Sequence, residues 1–184
     1  MKHLNQFITE YIVKKKLDNP IDSEDHYEYF PKTKEELIEN IKELIKQDIY
    51  DFNCIDTSEI TDMSDLFNDI QVRKNFNVSK WNVSNVKYIN GIFNGCKYFD
   101  CDLNNWDVSN VETMISMFLD CKSFKGKGLE NWDVSNVKKM NYMFDNCIKF
   151  NCDLSKWDVS NVIDMNNMFY NCLSLKNKPA WYKE

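Results

Sequence analysis

A block reading Trp-Asp-Val-Ser-Asn-Val, followed by a stretch ending Met-Phe-x-x-Cys, recurs about every 25 residues and constrains this chain more than any other feature. The tryptophans Trp81, Trp106, Trp132 and Trp157 are spaced by 25, 26 and 25 residues. Phe67, Phe93, Phe118, Phe144 and Phe169 keep the same step. A fixed period of this size predicts a solenoid, in which each unit buries its apolar side only against its neighbours.

Each unit divides in two. Phe99-Asp100-Cys101-Asp102-Leu103 and Phe150-Asn151-Cys152-Asp153-Leu154 alternate apolar and polar residues, which predicts a short half-buried strand. Val111, Met114, Met117, Phe118 and Cys121 recur at three and four residues, which predicts a short helix with Ser109 and Asn110 at its N-cap. The expected fold class is therefore an α/β repeat solenoid, a leucine-rich-repeat-like right-handed coil of short strands and short helices. The third unit carries an extra residue in Phe124-Lys125-Gly126-Lys127-Gly128-Leu129, read as a strand bulge.

The repeats span 51–184, closing in a half-repeat that carries Trp181 and Tyr182. Ahead of them, residues 33–50 form a capping helix. Thr33-Lys34-Glu35-Glu36 has the form of a capping box, and Leu37, Ile41, Leu44 and Ile45 make one stripe, with Ile38 beside it, suited to cover the open end of the stack. Residues 1–32 read as an amphipathic helix (Leu4, Phe7, Ile8, Tyr11, Ile12) and a connection; the helix is a candidate for docking or oligomerisation.

The units Asp153-Leu154-Ser155-Lys156-Trp157-Asp158-Val159-Ser160-Asn161-Val162 and Met165-Asn166-Asn167-Met168-Phe169-Tyr170-Asn171-Cys172 resemble the bacterial surface protein 26-residue repeat, a BspA-like branch of the leucine-rich repeats. The resemblance covers about residues 51–175, and Thr33 to Leu37 resembles the segment that often precedes such repeats. It implies a leucine-rich-repeat-like fold and a role in protein binding or adhesion. Members occur in bacteria, their mobile elements and phages, giant viruses and protists.

Composition narrows the function. A formal net charge of −6 argues against nucleic-acid binding. No apolar run approaches the roughly 18 residues that span a membrane, so no membrane insertion is expected. Met1 to Pro20 has no secretory pattern, which points to the cytoplasm, with a bacterial surface or a virion as the other location. Six of the seven cysteines fall in repeat columns without Cys-x-x-Cys or a nearby His, so they read as core packing rather than metal ligands. The column Asp107, Asp133, Asp158 supplies one carboxylate per unit, too few for calcium, and reads as turn chemistry. The column Asn85, Asn110, Asn136, Asn161 reads as a ladder onto backbone groups. Only His3 and His26 are histidines, and no nucleophile or phosphate motif occurs, so no catalytic residue, metal or cofactor is expected.

Helices pack about 8–10 Å apart and strands about 4.8 Å, so helices on one side would bend the stack and leave the strands on a concave face. The outward strand residues Asn75, Asn77, Asp100, Asp102, Lys125, Lys127, Asn151 and Asp153 are then the candidate partner-binding face. The expected function is a non-enzymatic interaction module for one protein. The alternative is a surface- or virion-associated adhesin for host protein or glycan.

Overall fold

The computed structural model describes residues 27–183 apart from Asp69 and Gln71. The amphipathic segment expected at the N-terminus lies largely outside these residues.

Helix α1 covers Lys34–Lys46. Thr33 caps it, its hydroxyl accepting from the Glu36 amide at 3.2 Å. Glu36 returns a carboxylate oxygen to the Lys32 amide at 2.6 Å, one residue earlier than in the usual reciprocal box. Leu37, Ile41 and Leu44 are buried on the first repeat. Lys34 reaches over that repeat to the Ser64 carbonyl at 3.1 Å.

The expected α/β coil of short strands and short helices is not the fold. Among the described residues α1 is the only α-helix, Leu129–Asn131 forms a single 3-10 turn, and pairing occurs only as isolated parallel bridges. The segment expected to be helical carries that pairing instead. Asp62, Tyr88, Thr113, Lys139 and Asp164 bridge in succession, each to the residue 25 or 26 further on.

The reason lies in where the amides go. An α-helix needs each amide to return to the carbonyl four residues back. Here the Val111, Met117, Cys121 and Phe124 amides close three-residue turns onto Val108, Met114, Phe118 and Cys121 at 2.9–3.3 Å. Met114, Ser116, Phe118 and Asp120 send their amides outward, to the Lys139, Asn141, Met143 and Asp145 carbonyls at 2.9–3.0 Å. Ser116 and Asp120 sit at φ 53° and 60°, left-handed values that no α-helix contains. A chain of three-residue turns brings an apolar residue inward at the same spacing as a helix.

Of the expected strand segments, the one around Asn77 makes an isolated parallel bridge to Asp51, and the later ones do not pair. Phe99 to Leu103 and Phe150 to Leu154 carry no bridge. In place of a bulge, Gly126 and Gly128 adopt φ 87° and 92° and lead into the 3-10 turn.

The apolar columns meet inside the stack. Successive rings of the column Phe67, Phe93, Phe118, Phe144 and Phe169 lie 5.5–5.8 Å apart. Trp106, Trp132, Trp157 and Trp181 stack at 6.3–6.4 Å. Turn carbonyls then use both lone pairs. The Leu103 carbonyl accepts the Trp106 amide and the Trp132 indole, both at 3.1 Å. The Phe118 carbonyl accepts the Cys121 amide and the Cys147 thiol, both at 2.9 Å. The cysteine column is thus a row of donors between units as well as packing, and the described structure holds all seven thiols free.

Left-handed residues recur in register, and their glycines differ in what surrounds them. Gly95, at φ 74°, has open space where a Cβ would stand and shares its column with Asp120, Asn146 and Asn171. Gly95→Asn is expected to hold stability or raise it by up to about 1 kcal/mol, because the unfolded chain loses freedom and Asn tolerates this backbone. At Gly128 a Cβ would stand 2.2 Å from the Asn104 amide nitrogen. Gly128→Ala is expected to cost about 2–5 kcal/mol from backbone strain and overpacking together. Urea unfolding midpoints of the two variants check both signs.

Candidate functional site

Of the eight residues expected on one face, Asn75, Asp100, Lys125 and Asn151 follow one another from unit to unit, and much of their bonding capacity is spent between neighbouring repeats. The Asp100 amide donates to Asn75 Oδ1 at 2.9 Å, and the Lys125 amide donates to Asp100 Oδ1 at 3.0 Å. Further along, the Asn151 amide donates to the Lys125 carbonyl at 3.4 Å, and Asn151 Oδ1 accepts from the Lys176 amide at 3.3 Å. The side chains of Asn75, Asp100 and Asn151 thereby each satisfy an amide of the following unit, while Asn151 meets Lys125 through the backbone, where a strand ladder was expected.

The charges pair in the same direction. Lys125 Nζ contacts Asp100, and Lys127 Nζ lies 2.7 Å from Asp102. The Lys127 ammonium and then the Asn104 amide hold the Asp102 carboxyl below its usual range, and Asp102 in turn raises the Lys127 ammonium. Both ion pairs are substantially open to solvent, so each contributes little to stability. Asn77 joins another cluster, donating to Asp51 at 3.4 Å and accepting from the Cys101 thiol at 3.4 Å. Asp153 is exposed and bonded to its own turn, accepting the Ser155 amide at 2.9 Å, which lowers its pKa.

Curvature was expected from wide helix packing on the far side. With no α-helix in the described repeats that source is gone; Asn75, Lys125, Lys127, Asn151 and Asp153 are exposed, and Asn77, Asp100 and Asp102 are half-buried.

The aspartate and asparagine columns take the turn and ladder roles read from their spacing. Asp107, Asp133 and Asp158 each accept the amide two residues on, at 3.0–3.1 Å. Asn85, Asn110, Asn136 and Asn161 each donate to a serine carbonyl of the preceding unit at 2.7–2.8 Å. Among the described residues no group of three or more His, Cys, Asp and Glu is placed to hold a metal ion. No helix among them is long and apolar enough to cross a membrane.

A second site, absent from the reading of the sequence, lies at the C-terminal end of the stack. A cleft of about 300 Å³ there is lined by Asn167, Phe169, Asn171, Lys178, Tyr182 and their neighbours. Ile163, Tyr170 and Leu173 stand out to solvent nearby, at 78%, 66% and 72% exposure. Ile163 breaks a column that reads Thr61, Lys87, Glu112 and Lys138, whereas Leu173 follows Gln71, Lys97, Lys122 and Ile148, so only the first was a clear signal in the sequence.

A family model described as Mycoplasma protein of unknown function, DUF285, matches residues 33–128 and again residues 104–183. Neither match reaches residues 1–32. The match fits a repeat protein of bacterial surface type, in line with the coarser part of the resemblance carried by the repeats. No curated protein and no solved structure matches the chain.

Proposed function

We propose that this chain, which belongs to the family described as Mycoplasma protein of unknown function, DUF285, is a non-enzymatic protein-binding module. The observation that supports this reading is the polar row itself. The side chains of Asn75, Asp100 and Asn151 accept amides of the next unit at 2.9–3.3 Å, and the charge changes along the row from neutral to acidic to basic. A rigid surface of varied charge selects among partners, because mismatched charges repel the wrong ones. The columns beneath it are occupied by packing and turn roles.

The partner on this reading is a protein that meets the row at Lys125, Lys127, Asn151 and Asp153, which are exposed. Lys125→Ala/Lys127→Ala/Asp153→Asn removes three charges and leaves Asp100, Asp102 and position 153 able to accept their amides. The experiment is a pull-down with native protein and this variant, with bound proteins identified by mass spectrometry. A partner held by native protein is expected to bind the variant about tenfold less well, near 1.4 kcal/mol. Equal recovery by both would remove the row from the binding surface.

A second reading, an adhesin for host protein or glycan, draws support from the surface-type family match. Recovery of the native protein in a surface or particle fraction, with the same row required for attachment, would favour it over an interior partner.

A further inference from the structure

Cys96, Cys121, Cys147 and Cys172 occupy one position in four successive units, three residues beyond the phenylalanine column. Helices packed about 8–10 Å apart would hold such cysteines away from one another. The units are instead turns bonded directly to their neighbours. Around Cys96 and Cys121, the Gly95 amide donates to the Leu119 carbonyl at 2.8 Å and the Ser123 amide to the Lys97 carbonyl at 3.1 Å. Around Cys147 and Cys172, the Asn146 amide donates to the Tyr170 carbonyl at 2.8 Å and the Ser174 amide to the Ile148 carbonyl at 3.1 Å. Each pair is clamped on both sides. Parallel backbones bonded in this way lie about 4.8 Å apart, and disulfide-linked residues have Cα atoms roughly 4.4–6.8 Å apart.

The side chains lean from unit to unit. The Cys121 thiol donates to the Phe93 carbonyl at 3.0 Å, and the same oxygen accepts the Cys96 amide at 2.9 Å. The Cys172 thiol and the Cys147 amide share the Phe144 carbonyl, both at 3.0 Å. Each later sulfur is thus carried to the backbone of the earlier cysteine, whose amide lies within hydrogen-bonding reach of it.

The remaining neighbours, Cys121 and Cys147, are clamped on one side. The Asp120 amide meets the Asp145 carbonyl at 2.9 Å, but among the described residues no backbone bond joins Lys122 to Lys149. Pairing these two would also leave Cys96 and Cys172 three units apart. Cys101 and Cys152 are separated by the unit that carries Gly126, and Cys54 stands outside both columns.

We propose that Cys96–Cys121 and Cys147–Cys172 are two disulfide staples, formed when the chain folds in contact with a small-molecule disulfide of the glutathione type. The thiolate of one cysteine attacks a sulfur of that oxidant, which gives a mixed disulfide and releases one reduced thiol. The neighbouring thiolate then attacks the protein sulfur, which closes the staple and releases the second thiol. Two protein thiols lose two electrons and two protons, and the oxidant is reduced to two thiols. The exchange belongs to folding, because Cys121 and Cys147 are 0% exposed once the units are stacked. Closing the bonds removes the thiol hydrogen bonds, but the Phe93, Phe118 and Phe144 carbonyls each keep an amide. The structure with free thiols is the reduced form. Such staples persist in an oxidising compartment and are lost in a reducing one. They are separate from the polar row and do not depend on it.

The test refolds the full chain from urea in a mixture of oxidised and reduced glutathione, and in parallel under reductant. Peptide mapping without reduction is expected to find the Cys96–Cys121 and Cys147–Cys172 links. Each link joins residues 25 apart, and together they are expected to raise the urea midpoint by about 1 M. The alkaline loss of stability expected of the free thiols shrinks in the linked form. Cys121→Ser is expected to abolish the first link and keep the second. The proposal is overturned if the column thiols stay free, if they join as Cys121–Cys147 or scatter among all seven cysteines, or if the linked form is no more stable than the reduced one. Folded, reduced chain held with oxidised glutathione in urea just below the transition, where units open, must give the same two links. Their absence there also overturns the proposal.

Discussion

Trp132→Ala is expected to lower the stability of the protein by about 3–5 kcal/mol. Trp132 is buried near the middle of the stack, with Trp106 and Trp157 stacked on its two sides at 6.3 and 6.4 Å. Removing the ring opens a cavity that its neighbours cannot close, because the turns that carry them are hydrogen-bonded above and below. The indole bond to the Leu103 carbonyl is the smaller share, since that carbonyl keeps the Trp106 amide. Trp132→Phe, which retains a ring and loses the donor, is therefore expected to cost less, with about 0.5–1.5 kcal/mol of the loss coming from the hydrogen bond. Trp181 ends the column, has only Trp157 beside it in the stack and is half-buried. Trp181→Ala is expected to cost clearly less than Trp132→Ala. Equal losses at the two positions would contradict an array in which each unit is held by its neighbours. Urea unfolding followed by far-ultraviolet dichroism reads all three variants.

Raising the pH from 8 to 10 is expected to remove about 4 kcal/mol of stability, through three buried thiols. Burial pushes the Cys96 thiol up to about 12 and those of Cys121 and Cys147 well above their ordinary value of 9.0. Above pH 9 the unfolded chain releases these protons while the folded chain keeps them. Fewer protons bound in the unfolded state means that stability falls as pH rises. The stabilisation is complete below the unfolded value and is lost as pH climbs toward the folded one. One pH unit above 9 is worth about 1.4 kcal/mol per thiol, hence about 4 for three. Cys96→Ser/Cys121→Ser/Cys147→Ser keeps a donor of similar size and removes these three titrations, so its urea midpoint should vary less across this range, the remainder coming from Cys152 and Cys172, which burial also pushes up to about 12. A native midpoint that stays level from pH 8 to 10 would mean that these thiols are not enclosed.

How far the chain could be read in advance depended on what each pattern specifies. The period, the ring columns and α1 were legible because each is a statement about which side chains are buried, and burial is written in residue type. Thr33, Leu37, Ile41 and Leu44 led to a helix that the structure places at Lys34–Lys46. Backbone conformation was not legible in the same way. Val111, Met114, Phe118 and Cys121 point inward at three- and four-residue steps whether the chain is a helix or a series of turns. The residues that decide between them, Ser116 at φ 53° and Tyr142 at φ 58°, give no sign of it in their chemistry.

The candidate surfaces divide along the same line. The row from Asn75 to Asp153 could be named from alternation alone. That Asp100 is spent on the Lys125 amide and ammonium is a fact of register between units, and sequence carries no record of it. The approach of Cys121 to Cys96 and of Cys172 to Cys147 was invisible for a related reason. A column of cysteines reads the same at helix spacing as at turn spacing, and only the stacking of one unit on the next shows which of them meet.

The sequence by itself determined which residues form the interior and how often the unit repeats, because transfer of apolar side chains out of water depends on their identity and spacing. The tertiary structure decided that the units are turns rather than strands and helices, because each amide could bond along the chain or across to the next unit. That competition is settled only when the units are stacked.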